Sequence, residues 1–530
     1  MIYLYTLPSS NFSYPDIKNI LYSTYLKNNS IRYKMYDYTD YFLNNMLVND
    51  NLEKLGYDID KIKHDIKDKN KDLLEVNKKF IKAVNKYLEE FGINYINNHG
   101  FAYNYLIRNI DDLINVEKEI SEFIDNFPLD NYKNNDIIFL NVSYGFQVPM
   151  ALGLTKRIKN SNSNVKIIWG GNYLTQINKN CNELIRKAKV IDAIIIFNHI
   201  KTFADIIKYY SKEKVDLCNV ITAYKEYEIS KDIKDSISDY YLDYNDIDLN
   251  IYLSRDKIMP ILLNYGCYYH RCNFCAHFYH YGNYMKMNIK KTCEMIKKMY
   301  RHKKFDSIVF VDECIPPEMM VDISKYFIDN DINIKWMFET RINKSYLNFN
   351  TVKLLSDAGC KFVSFGIESY NNKILKLMDK GIDTYIIKKT LKNFYNAGIV
   401  VSSTFMIGYP KESYFNIFRT LNFISRFKYI DIFGLNVFVL ARNSFLCDNI
   451  NHDCSGIHLT YRFKGDNKER LEKILKIFNQ KKKLKKFNNI KSCLLNRSDY
   501  LYIDRENFSI NYRKVWIYEQ KGIVRRINGF

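Results

Sequence analysis

Apolar residues along this 530-residue chain fall into two alternating patterns separated by polar stretches. Residues 2–6 (IYLYT) form a short apolar run, helical periodicity follows over 14–28, and a second run covers Ile31–Tyr36. Short apolar runs alternating with helical periodicity predict the strands and helices of a parallel α/β sheet. Between about 45 and 128 the pattern changes. Leu73, Leu74, Val76, Phe80, Ile81, Val84 and Leu88 recur at helical spacing among many charges, which predicts a helical insertion. Strand-like runs then return at 136–142, at 165–169 ending in Gly170-Gly171, and at 193–197, with a helix over 149–159. Runs of this kind mark a sheet buried on both faces.

Residues 210–255 are polar and rich in Tyr and Asp, as a linker would be. From 258 onward a stricter alternation appears. Strands are expected at 259–264, 307–311, 332–338, 362–367, 400–407 and 430–436, with helices between them, giving six β/α units in about 180 residues. Right-handed crossovers wrap such units into a barrel or partial barrel. After about 440 the pattern fades into a helix near 467–487 and strand-like segments at 500–504 and 515–518. The expected fold class is therefore α/β. A doubly wound, Rossmann-like domain (1–210, with its insertion at about 45–128) and a linker (211–256) precede a (β/α)6 partial barrel (257–440) and a small α+β extension (441–530).

Composition alters this picture little. A net charge of +20 is compatible with nucleic acid, a membrane surface or an acidic partner. The charge is spread evenly, however, and the one dense run, Lys481 to Lys486, continues a helical pattern, so a solvated helix face accounts for it. No helix-turn-helix or aromatic-basic strand motif supports a nucleic-acid partner. The eleven cysteines are scattered, which is not a disulfide framework and fits a reducing, cytoplasmic setting. The start of the sequence lacks a signal-peptide pattern, and no apolar run approaches the length of a membrane span.

The chemistry concentrates in Cys267-Tyr-Tyr-His-Arg-Cys272-Asn-Phe-Cys275, directly after the first barrel strand. Three thiolates with the nearby His277 or His280 could make a closed Cys3His zinc site. The position argues otherwise. Barrel active sites lie at the carboxyl ends of the strands, whereas structural zinc serves small units without a core. Three cysteines can instead hold a [4Fe–4S] cluster and leave one iron without a protein ligand. Such an iron can bind the amino and carboxylate groups of S-adenosylmethionine (SAM) and pass it an electron.

Residues 258–437 resemble a radical SAM domain. The resemblance rests on the cysteine motif, on GCKFVSFGIES (359–369), on ILKLMDKG (374–381) and on AGIVVSSTFMIGYPKES (397–413). The commonest spacing in that superfamily is C-x3-C-x2-C. This chain has C-x4-C-x2-C with the aromatic Phe274 before the last cysteine, which resembles the subgroup with an N-terminal cobalamin-type domain, including maturases of ribosomally made peptides. NVSYGFQVPMALGLTKRIKN and VKIIWGGNY resemble that domain. The D-x-H-x-x-G motif that supplies a lower axial histidine is absent, and Phe197-Asn198-His199-Ile200 stands where an acid-rich turn is expected.

The resemblance implies roles. Cys267, Cys272 and Cys275 would hold the cluster. Phe274, Asp312, Glu313, Glu339, Arg341, Glu368, Ser369, Ile407 and Gly408 would contact SAM, and Ser143, Gly170 and Gly171 would lie near cobalamin. The implied activity is cobalamin-dependent methylation of an unactivated carbon in a peptide or small-molecule substrate. An external carrier such as flavodoxin or ferredoxin would supply electrons. Two alternatives stay open: a radical modification without cobalamin (epimerisation, cross-linking or rearrangement), and a basic nucleic-acid-binding protein with structural zinc.

Overall fold

The computed structural model describes residues 1–530 except 10, 49, 97–99, 105–106, 198, 231–240, 451–455, 462–470, 472–473, 475–496, 503–514 and 518–530. The expected helix at 467–487 and its lysine run thus lie almost wholly outside the described residues. In the first half, β1 (Ile2–Thr6) leads through α1 (Ile17–Asn28) to β2 (Tyr33–Asp37). Within the insertion, α2 (Leu73–Glu89) precedes a hairpin of β3 (Ile93–Ile96) and β4 (Gly100–Tyr103). The expected all-helical insertion missed this hairpin because each strand is only four residues long, too short to declare a period. The sheet resumes with β5 (Ile137–Asn141), α3 (Gln147–Ser161), β6 (Lys166–Gly170), β7 (Ala193–Ile195), α4 (Ile200–Tyr210) and β8 (Val220–Thr222). Residues 220–222, expected in a linker, pair antiparallel with β7.

The strand order is β2-β1-β5-β6-β7-β8. Alternate residues of β1 serve two different cores. Tyr3 and Tyr5 face Phe42, Phe80 and Phe123 of the insertion, while Ile2 and Leu4 join Tyr22, Phe139 and Phe203. The insertion is therefore the cover for one sheet face, as a parallel sheet requires. Strand order reverses between β1 and β5, and the loops after these strands flank the crevice where such sheets bind ligands.

The second sheet begins with β9 (Ile258–Ile261). A short hairpin, β10 (Asn264–Tyr265) with β11 (Met285–Lys286), brackets the cysteine loop. Next come α5 (Ile289–Arg301), β12 (Ser307–Phe310), α6 (Pro317–Asp329), β13 (Lys335–Thr340), α7 (Phe349–Asp357) and β14 (Cys360–Glu368). Then follow α8 (Thr384–Asn396), β15 (Val400–Ile407), α9 (Tyr414–Arg426) and β16 (Ile432–Val437). A small hairpin of β17 (Leu440–Ala441) and β18 (Thr460–Tyr461) precedes β19 (Val515–Ile517). The order is β19-β16-β15-β14-β13-β12-β9, an open barrel of parallel strands. The extension thus adds a seventh strand. Its other expected strand, 500–504, is instead a 3-10 turn at Arg497–Tyr502, where Tyr500 stacks on Phe362 at 4.5 Å. Tyr500 sits among Ile258, Val309, Met337, Val400 and Ile432 and plugs the amino-terminal end of the barrel. Among the described residues no helix is long and apolar enough to cross a membrane.

Period-two alternation sets what the barrel interior holds. On β14, Val363, Phe365 and Ile367 are buried in the outer core, whereas Ser364, Gly366 and Glu368 line the interior. On β15, Val401, Phe405 and Ile407 pack outward, and Ser402 and Thr404 face in. Packed barrels fill this space with bulky branched side chains. Here small residues leave it open.

Trp336 on β13 anchors the outer core. It is fully buried, crosses Phe310 edge-on at 5.6 Å, and donates its indole N–H to the Ala358 carbonyl at 2.7 Å. Trp336→Ala should cost about 3–5 kcal/mol through the cavity it leaves, read as a lower denaturant midpoint. An unchanged midpoint would contradict this packing.

Candidate active site

The cysteine loop leaves the barrel mouth after β9 and is tied down mainly by one turn, Leu377–Gly381. Asn273 donates from its side chain to the Leu377 carbonyl at 2.9 Å and from its backbone to the Met378 carbonyl at 3.0 Å. Arg271 forms a two-point ion pair with Asp379 at 3.1 and 3.2 Å. The Tyr269 hydroxyl donates to the Asp379 carbonyl at 2.9 Å. Gly381 has φ +66°, and a Cβ there would stand 2.2 Å from the Tyr269 hydroxyl, so glycine permits the close approach. From the other side, Leu446 N–H donates to Asn273 O at 2.9 Å, and Phe278 stacks on Phe445 at 3.9 Å.

This docking brings the three thiols to one cavity of about 550 Å³. Cys275 Sγ accepts the His277 backbone N–H at 3.4 Å. A thiol contact with Cys314, and then the backbone N–H groups of His270 and Tyr269, hold the Cys267 thiol below its ordinary value. Amide donors aimed at sulfur favour the thiolate, the form that ligates iron. Among the described residues, no three His, Cys, Asp or Glu side chains are gathered as a site for one metal ion. All three thiols line this cavity, and in a [4Fe–4S] cluster each would bind a different iron.

Several expected site residues meet the thiols in this cavity: Phe274, Glu313, Glu339, Arg341 and Glu368. The Arg341 guanidinium lies 3.5 Å over the Tyr269 ring and donates to the Lys380 carbonyl. Other expected residues lie elsewhere. Asp312 is buried, and its carboxylate accepts the backbone N–H groups of Leu263 and Asn264 at 2.9 and 2.6 Å. Ser369 is buried beside Thr420 Oγ1, Ile407 belongs to the outer core, and Gly408 donates its N–H to Glu412 at 2.7 Å. Ser143 donates its N–H to Gln147 Oε1 at 2.9 Å. Gly170 ends β6. Gly171 has φ +137°, and a Cβ there would fall 1.9 Å from the Val142 carbonyl, so this glycine serves strand packing.

Lys380 was not singled out by the sequence, although it lies within the ILKLMDKG motif. It is 6% exposed, its Nζ stands 3.5 Å from Glu368 Oε1, and it lies 5.5 Å from the centre of the Phe274 ring. Burial works against its charge, but Cys272 and Glu368 outweigh it and raise the lysine above its ordinary value. Asn11, Tyr14 and Tyr144, from the loops after β1 and β5, also reach the cavity. Only their position at the strand-order reversal could have signalled this.

A hydrogen-bonded chain joins the two sheets beside the cavity. Glu313 accepts from the Tyr281 hydroxyl at 2.9 Å, that hydroxyl accepts from Asn172 at 3.3 Å, and Asn172 accepts from Lys18 at 2.5 Å. Burial pulls Lys18 down to about 8, against the pull of Asp16 and Glu313. Nearby, burial, then His277 and Lys18, push His280 down to about 3. A histidine held below its unfolded value near 6.5 adds stability that is present above pH 6.5 and is lost as pH falls toward 3, by about 1.4 kcal/mol per pH unit. His280→Gln should therefore flatten the fall of the unfolding midpoint with acidity relative to the unmodified protein. Parallel curves would show that His280 is not buried neutral.

Residues 261–424 match the family model described as the radical SAM superfamily. An uncharacterized methyltransferase of Pyrococcus horikoshii is 23% identical over 292 residues, 52% of this chain and 61% of that protein. The anaerobic magnesium-protoporphyrin IX monomethyl ester cyclase of Rubrivivax gelatinosus is 22% identical over 150 residues, 28% of this chain and 27% of its own length. The chain thus spans less than two thirds of either relative. Among solved structures, the cobalamin-dependent SAM radical enzyme OxsB, with aqua-cobalamin and SAM bound, gives a TM-score of 0.60 at 14% identity, covering 90% of this chain and 66% of OxsB. The radical SAM methyltransferase TsrM of Kitasatospora setae, with tryptophan substrate and a SAM analog bound, gives 0.61 at 10% identity, covering 99% of both chains. At these identities the likeness is one of fold. Residues 261–424 are a radical SAM domain, set in a chain with the fold of cobalamin-dependent radical SAM enzymes.

Proposed function

We propose that this protein is a radical SAM enzyme that methylates an unactivated carbon with the help of cobalamin. The observation that carries the reading is the convergence of Cys267, Cys272 and Cys275 on one cavity at the mouth of an open barrel, with loops of the first sheet reaching the same cavity. When bound, the cluster supplies the electron that splits SAM into methionine and a 5′-deoxyadenosyl radical, and cobalamin carries the methyl group.

The chain's own residues bind and orient. Cys267, Cys272 and Cys275 hold three irons. Glu313 and Glu339 are acceptors for the ammonium of SAM, and Arg341 is a donor for its carboxylate. Glu368, fixed by Lys380, accepts from the ribose. Ser364, Ser402 and Thr404 keep the interior open and polar, so that adenosine and the substrate carbon fit together. Tyr500 closes the floor and excludes water. A cavity of about 550 Å³ is of small-molecule size, so the substrate enters as a small molecule or as one side chain of a peptide. Asn11, Tyr14 and Tyr144 form the wall that cobalamin would meet. A second reading keeps the radical chemistry without cobalamin, and it is favoured by the absence of a D-x-H-x-x-G motif from the sequence.

Anaerobic reconstitution tests both readings. Iron and sulfide should bind in equal amounts, and dithionite with SAM should release 5′-deoxyadenosine. Cys272→Ala should abolish both. Cobalamin retained after gel filtration supports methyl transfer, whereas its absence supports the second reading. Glu368→Gln removes a charge-assisted hydrogen bond of about 1.5–3 kcal/mol. It should weaken SAM binding about 10- to 100-fold while leaving the iron content unchanged. Unaltered SAM affinity would remove Glu368 from the site.

A further inference from the structure

Outside the cavity, a basic patch lies on the outer face of α8 and α9. These adjacent helices carry Lys388, Lys389, Lys392, Arg419 and Arg426 and not one Asp or Glu. Large apolar side chains stand exposed among the cations: Tyr385 at 65%, Phe415 at 74% and Phe418 at 52%. Between the helices is a cup of about 320 Å³ lined by Tyr370, Lys388, Arg419, Phe423, Arg426 and Phe427. Its floor is rigid. Tyr370 stacks on Phe423 at 3.6 Å with the rings nearly parallel, and its backbone N–H donates to Thr420 Oγ1 at 3.0 Å. Lys388 lies 5.6 Å from the Tyr370 ring centre.

The patch adjoins the cluster site. Tyr370 is two residues, about 7 Å of chain, from Glu368. Glu368 pairs with Lys380, which rests against Phe274 of the cysteine loop. A helix pair without acids, carrying five cations, exposed aromatic rings and an aromatic-lined cup, has the charge and the apolar surface of a protein-docking site.

We propose that the α8–α9 face docks a small acidic one-electron carrier protein that reduces the cluster, a surface that rests on the radical reading above. In the step concerned, one electron leaves the reduced carrier and is taken by the [4Fe–4S] cluster, which goes from the 2+ to the 1+ state; no bond or proton changes hands. Cationic side chains steer the acidic carrier to this face, and the aromatic cup seats it beside Tyr370, next to the strand end that holds Glu368.

The test compares two reductants on the reconstituted full chain: dithionite, which needs no docking surface, and a purified acidic flavodoxin in its fully reduced form. The charge reversal K388E/R419E/R426E should lower flavodoxin-driven 5′-deoxyadenosine formation at least 10-fold at low ionic strength and leave the dithionite-driven rate within twofold. For the unmodified chain, raising salt should slow the flavodoxin-driven rate alone, since exposed charge pairing is screened. This second measurement stands even if the reversed variant does not fold. Equal flavodoxin-driven rates for the variant and the unmodified chain would overturn the proposal. So would a variant that loses affinity for a polyglutamate peptide but not for flavodoxin-driven turnover, which would assign the face to an acidic peptide. If the unmodified chain releases no 5′-deoxyadenosine even with dithionite, the radical reading fails first and this proposal falls with it.

Discussion

The geometry of the site depends on one interaction, the docking of the cysteine loop onto the Leu377–Gly381 turn. A long loop with no strand of its own has little reason to hold three thiols in fixed relation. Here Tyr269, Arg271 and Asn273, which alternate with or adjoin the cysteines, each bond to that turn. The turn in turn follows β14, the strand that places Glu368, and carries Lys380 between them. The cysteine loop and Glu368 are thus referred to the same piece of backbone. Arg341, stacked on Tyr269, extends this reference to β13.

The second constraint is the emptiness of the barrel. Seven parallel strands would normally fill their interior with branched side chains. The inward positions of β14, β15 and β16 are Ser364, Gly366, Ser402, Thr404 and Gly434, and the resulting space is the cavity. Large aromatic side chains close the floor, where Tyr500 stacks on Phe362. The first sheet contributes from the side. Lys18, Asn172, Tyr281 and Glu313 make a partly exposed polar chain across the junction, beside the same space. Such a chain is satisfied only in one mutual arrangement, so it fixes orientation more than it adds stability.

Much of this was legible in the sequence because strand and helix periods are local. Every expected barrel strand through β16 is present, and the cysteine spacing pointed to the mouth. What was not legible depends on contacts distant in sequence. β19 pairs with β16 across about 80 residues, and Val515–Ile517 alone says only that a strand is possible. Tyr500 reads as a strand residue by composition but ends as a plug, because an open barrel end offers more apolar contact than a sheet edge. The interior alternation of SFGIES explains why Glu368 reaches the cavity while its neighbours Ile367 and Ser369 do not. Asp312 takes a different place. An acid at a strand end suggested a ligand contact, yet its carboxylate is taken up by two backbone N–H groups of the loop that starts at Leu263. At Gly171 the backbone passes close to the Val142 carbonyl, which requires glycine there.

The account rests on three thiols sharing one cluster with an iron left open to SAM. Electron paramagnetic resonance of the anaerobically reduced protein, recorded with and without SAM, tests this most directly. A reduced [4Fe–4S] signal whose shape changes when SAM is added, and which is lost in Cys272→Ala, is the predicted result. Stoichiometric zinc without iron, or a cluster signal indifferent to SAM, would contradict it.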